Sequence, residues 1–225
     1  MSTPISYVID DAAQAIGDPN KQRVTLAQWV GIYNRSNREL CQKANVLGFS
    51  DGFTLVANQN RYEYPAGMTV MTAIHVTETP DDKTTFRVLG EYFEDEFRAM
   101  VDASYPAASL PTGYFATSSW FHLVPMVSAQ IVGGGCITYY GLPDRITVDQ
   151  VTGGTVIQVP DFAQDYLLRR MIVHGMEQRN RLVEARTALE MWNADMETLQ
   201  DKLDDRSVDR RSTIAPRKNR FAGMR

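Results

Sequence analysis

The sequence predicts an α+β protein. Two N-terminal helices and one long C-terminal helix make a discontinuous helical core, which carries a large inserted antiparallel β-domain and ends in an extended tail. Three observations carry this. Apolar residues recur at three and four positions in residues 1–47 and again in 160–205. Between them, in 48–159, the period drops to two and Gly, Pro and Asn punctuate the chain. From residue 206 to 225 the sequence turns basic and poor in apolar residues.

The first helix is predicted over Ile5 to Ile16, where Ile5, Val8, Ile9, Ala12 and Ile16 share a face and Gly17 and Pro19 act as stops. The second opens on a capping box of Thr25 and Gln28. Val24 and Trp29 flank it as a hydrophobic staple, and Trp29, Ile32, Tyr33, Leu40, Ala44 and Leu47 run as far as Gly48. Strands are predicted at "FTLVA" from Phe53, "RYEYP" from Arg61, "MTVMTAIHV" from Met68, "FRVL" from Phe86, "YFATSSWFHLV" from Tyr114, "AQIV" from Ala129, "CITYY" from Cys136 and "TVIQV" from Thr155. A short helix, "EYFEDEFRAM", interrupts them with Phe93, Phe97 and Met100 on one face. The run "GGG" at Gly133 to Gly135 predicts a tight hairpin.

From Phe162 to Asp204 there is no proline, and Gly175 is the only glycine, so one continuous rod is predicted. Its stripe Leu168, Met171, Gly175, Gln178, Leu182, Ala185, Leu189, Trp192, Met196, Leu199 and Leu203 keeps a 3,4 spacing throughout. Such a helix either packs on the N-terminal pair alone or packs on copies of itself as well. In the second case Leu182, Leu189, Trp192, Met196, Leu199 and Leu203 form an inter-subunit seam.

Composition excludes several function classes. Hydrophobic residues make up 44% of the 225 residues, ample for a core. Ala103 to Pro143 lacks any Asp, Glu, Lys or Arg, but its prolines and glycines would leave backbone groups unpaired in lipid, so no membrane span is expected. The opening "MSTPISYVIDD" has no signal-peptide pattern, and two distant cysteines, Cys41 and Cys136, point to a reducing compartment. His75, His122 and His174 form no zinc pattern, the glycine run fits no phosphate loop, and the acids of "EYFEDEFRAM" fit a solvated helix face. No enzyme, metal or cofactor is therefore expected.

Charge is polarised. Residues 206–225 hold seven Lys and Arg against one Asp, +6, which leaves −10 on residues 1–205 of a chain whose total is −4. Glu190, Asp195, Glu197, Asp201, Asp204 and Asp205 crowd the end of the predicted rod just before the basic run. The run reads as a nucleic-acid arm, a docking peptide or a solubilising end. With Phe221 as its only aromatic residue it lacks the stacking surface of single-strand binders. Apolar anchors Ile214, Pro216, Phe221 and Met224 alternate with Arg217, Lys218, Arg220 and Arg225, a pattern suited to docking in a protein groove. A DNA-binding structural protein that uses this tail is the alternative reading.

The order of features resembles the head-to-tail adaptor proteins of tailed bacteriophages. The matching stretches are "GDPNKQRVTLAQWVGIYNRSNREL", "NRYEYPAGM", "WFHLVPMVSAQIVGGGCITYYGLP" and "VPDFAQDYLLRRMIVHGMEQRN", followed by the basic tail. That resemblance implies a structural virion protein at the portal–tail junction, assembled in the bacterial host cytoplasm. It implies a ring of about twelve identical subunits below the portal protein, a platform for tail tube or nozzle proteins, and double-stranded DNA passing through the lumen without sequence-specific contacts. The C-terminal segment would dock on the portal through Arg217, Lys218, Arg220 and Phe221, with Ile214, Pro216, Met224 and Arg225 beside them. An acidic body suits a conduit along which DNA must slide.

Overall fold

Asp18 organises the first turn of the chain. Its carboxylate accepts hydrogen bonds from the backbone N–H groups of Gln22, Arg23 and Val24 at 2.9–3.3 Å, and so directs the first helix, α1 (Ile5–Ala15), into the second, α2 (Leu26–Ala44). The capping box is present: Thr25 N–H donates to Gln28 Oε1 at 2.8 Å and Gln28 N–H to Thr25 Oγ1 at 3.4 Å, while Val24 and Trp29 are both buried. The α2 helix ends at Ala44 because Asn45 takes the left-handed conformation, φ +48°. In this computed structural model residues 3–102 and 106–212 are described, residues 83, 101, 102 and 204–212 by backbone alone.

The remaining elements are β1 (Gly48–Leu55), β2 (Arg61–Glu63), β3 (Met68–Val76), β4 (Arg87–Val88), β5 (Gly90–Glu91), α3 (Glu94–Asp102), β6 (Gly113–Ala116), β7 (Trp120–Val124), β8 (Ile131–Gly141), α4 (Val148–Thr152), α5 (Asp161–Gln178) and α6 (Leu182–Ser212). The fold is α+β. The chain divides into two compact units, one of residues up to Ala44 together with those from Ile146 onward, the other Asn45–Arg145.

In the second unit two four-stranded sheets run in the orders β1-β8-β3-β4 and β2-β7-β6-β5, antiparallel apart from the β5–β6 pair. Alternation puts Leu55, Ile74, Val76, Ile137 and Tyr139 of the first sheet and Tyr62, Tyr114, Phe121 and Leu123 of the second into one core. Four sequence expectations need correction here. "YFATSSWFHLV" is a hairpin of two strands, because the Thr117 hydroxyl and N–H both bond the Trp120 carbonyl, at 2.7 and 2.9 Å, and fold the chain over. The glycine run is no hairpin. It is a bulge inside the single strand β8, where Gly133 takes φ +69° and a Cβ on Gly135 would lie 2.4 Å from the Phe53 ring. "TVIQV" is not a strand of this unit. Residues 155–157 belong to the helical unit, where they pair briefly with its N-terminal residues, through Ile5 N–H to Thr155 O at 3.0 Å and Ile157 N–H to Thr3 O at 2.9 Å. Phe93, expected on the inner face of the short helix, precedes α3 and is exposed, whereas Phe97 stacks 4.6 Å from Phe115 and Met100 is half-buried.

The helical unit contains the largest correction. The predicted rod is broken into α5 and α6, which pack against each other. Asn180 takes φ +55°, its N–H donates to Glu177 O and the Arg181 N–H to Met176 O, both at 3.0 Å, which closes the helix end in a Schellman motif. The guanidinium groups of Arg179 and Arg181 then both bond the Ile16 carbonyl at the end of α1. Beyond the turn α6 runs on through residues 206–212, so the basic region begins as helix. Gly175 marks where α5 meets α2. A Cβ there would sit 2.7 Å from the Trp29 ring and 3.1 Å from Ile16 Cδ1. Gly175→Ala is therefore expected to lower stability by about 1–3 kcal/mol despite its better helix propensity, read as a lower urea midpoint.

Candidate docking surfaces

The tail residues that the sequence singles out, Ile214, Pro216, Arg217, Lys218, Arg220, Phe221, Met224 and Arg225, lie outside the described residues. The seam residues divide. Trp192, Met196 and Leu199 are buried within the chain's own helical unit, Leu189 and Leu203 are half-buried, and Leu182 is 64% exposed beside the turn. The hairpin itself covers the stripe: Trp192 Nε1 donates to the Tyr166 carbonyl at 2.9 Å, and its ring lies between the Arg170 guanidinium at 5.0 Å and Lys43 Nζ at 4.8 Å. What α6 leaves open is a different stripe, with Val183 82% and Met191 65% exposed. Of the acidic residues near its end, Asp195 is paired with Arg169 and Glu190 with Arg186, while Glu197 and Asp201 are exposed.

A charged cluster joins α2 to α5. Glu39 accepts from Arg170 Nε at 2.5 Å and from Arg35 Nε at 3.0 Å, and faces His174 Nε2 at 3.3 Å; His174 Nδ1 faces Glu177 at 2.8 Å. Burial alone would raise the Glu39 carboxyl pKa, but the Arg170 hydrogen bond and charge, with His174 and Arg35, hold it below the usual carboxylate range. A shallow cavity of about 210 Å³ adjoins His174, lined also by Gln28, Arg35 and Glu177. The arrangement ties two helices together by charge and has no nucleophile in it.

His75 and His122 stand on separate sheets of the other unit. His122 packs on Phe97 at 5.1 Å, and burial followed by the charge of Arg61 lowers its pKa. Among the described residues no group of three His, Cys, Asp or Glu is placed to hold a metal ion, and no helix is long and apolar enough to cross a membrane.

Sequence reasoning missed a cleft of about 250 Å³ in the β-unit, between β1 at the edge of one sheet and β2 at the edge of the other. Phe53, Tyr62, Tyr64 and Phe121 line it with ring centroids 5.2–5.6 Å apart, and the carboxylates of Asp51 and Glu63 stand at its mouth. Its residues come from four separate strands and loops, so no local motif announces it.

Among comparisons with known proteins, the SU10 adaptor protein family matches residues 3–220, nearly the whole chain. No curated protein matches it.

Proposed function

The chain belongs to the SU10 adaptor protein family, and on that premise we propose that it is a structural head-to-tail adaptor of a tailed bacteriophage, seated in the virion between the portal and the tail. Copies form a ring of about twelve subunits below the portal, extend the DNA channel, and give tail tube or nozzle proteins a platform. The observation that carries the reading is the family match along residues 3–220, which takes in both units and most of the basic tail.

The details follow from charge and exposure. Residues 213–225 carry four Lys and Arg and no acid, with Ile214, Pro216, Phe221 and Met224 as anchors, and dock on the portal. Ordering so short a segment is costly for one copy, and repetition around a ring offsets it by avidity. The open stripe of α6 at Val183 and Met191, rather than the buried seam, supplies apolar surface for neighbours. DNA passes an acidic body without sequence-specific contacts.

Truncation after Ser212 tests this. The shortened protein is expected to stay folded and to lose attachment to portal-bearing capsids. Retained attachment would count against the tail as the joint. Salt-sensitive retention of the full chain on duplex DNA that disappears on truncation would favour the DNA-binding reading instead.

A further inference from the structure

The β-unit is open along one side. β1 terminates the first sheet and β2 the second, so among the described residues each presents one edge without a partner strand. The register of β1 against β8 is unbroken from Gly48 to Phe53, and Gly48–Gly52 are exposed. This stretch has neither lysine nor proline, its register shifts only beyond Phe53, and its one charged residue is Asp51. Next to it the cleft offers four aromatic rings with two carboxylates at the mouth. Asp51 accepts from the Tyr139 hydroxyl at 2.8 Å, and among the described residues neither Asp51 nor Glu63 has a cationic partner. The rings of Phe53 and Tyr64 are half-buried over the buried Tyr62 and Phe121, so unpaired backbone, partly accessible aromatic surface and uncompensated negative charge meet at one place.

We propose that this cleft is a docking site for the C-terminal segment of a second copy of this chain, residues 213–225, bound as an added strand along β1. The segment supplies what the cleft lacks. It carries Arg217, Lys218 and Arg220 for Asp51 and Glu63, and Phe221 for the rings of Phe53, Tyr62 and Tyr64. Thirteen residues follow Ser212. Extended, they span on the order of 43 Å at about 3.3 Å per residue, longer than the Gly48–Phe53 edge with which they would pair. The cleft is then the seat of this segment in unattached protein, and the portal is an alternative one. The inference stands on the cleft and the segment, not on the adaptor assignment.

A fluorescent peptide of residues 212–225 tests it. The protein is the full chain carrying Arg217→Glu, Lys218→Glu and Arg220→Glu, so that its own segment does not compete. The peptide is expected to bind saturably, more weakly as salt rises. Adding Asp51→Lys and Glu63→Lys, both at exposed positions, should weaken binding about tenfold or more while the circular dichroism spectrum is unchanged. A Phe221→Ala peptide should also bind more weakly, a readout that needs no change to the protein. Equal binding by the Asp51→Lys/Glu63→Lys protein, equal binding of a scrambled peptide of the same charge, or no saturable binding would each overturn the proposal. Failure of the capsid-attachment test would leave these results untouched.

Discussion

Trp192→Ala is expected to cost the helical unit about 3–5 kcal/mol, the range for removing a fully buried tryptophan. Trp192 sits where α2, α5 and α6 converge. Its truncation leaves a cavity, removes the indole hydrogen bond to the Tyr166 carbonyl, and takes the ring away from Arg170 and Lys43. Met191, one position earlier, is exposed, so Met191→Ala should stay within about 0.5 kcal/mol of the wild type. Urea unfolding followed by helical circular dichroism checks the pair. Equal midpoints for the two variants would mean that the stripe is not buried within one chain and serves an interface between copies.

Glu39→Gln comes next in size, at about 3 kcal/mol near neutral pH. Removing one partner of a buried ion pair costs roughly 3–5 kcal/mol, and the low end applies because the Glu39 side chain is 26% exposed. Gln cannot neutralise the Arg170 guanidinium, whose Nη1 is already buried without a hydrogen-bond partner among the described residues. The pH dependence has a definite sign. Glu39 has a folded pKa below its unfolded value of about 4.3, so its contribution is fully present above that value and is lost as pH falls through the folded one. The gap between wild type and Glu39→Gln should therefore narrow as pH falls below about 5, where the Glu39 carboxylate begins to take up its proton. A residual acid limb remains in the variant, because Asp18 is also held low: burial opposes this, but the N–H groups of Val24, Arg23 and Gln22 and the charge of Arg179 outweigh it. A gap that fails to narrow as pH falls well below about 4.3 would contradict the assignment of Glu39 as the ionised partner.

Much of the fold was legible where a local rule coincided with tertiary need. The apolar face of α1, the Thr25–Gln28 box and the whole of β3 are readable from spacing and capping chemistry alone. The rod was not, and for a physical reason. A three-residue turn leaves Gln178 and Leu182 four positions apart, so the 3,4 stripe continues through the break, and only Asn180, tolerant of a left-handed φ, marks the stop. The same stripe that suggests a partner helix is satisfied when the chain folds back on itself. Likewise Gly133 to Gly135 signal either a turn or a close approach. What decides is the Phe53 ring, some eighty positions earlier in the chain. The docking character of the tail is visible in its composition, whereas the cleft exists only once β1, β2, β7 and β8 are assembled.

The account rests on this chain being the link between portal and tail, joined to the portal by its C-terminal segment. Reconstruction of the portal vertex of the mature particle tests that most directly. It should show a closed ring of this chain directly below the portal, with residues 213–225 seated on portal surface. A junction without this chain, or a ring whose joint is made elsewhere while that segment stays clear of the portal, would contradict it.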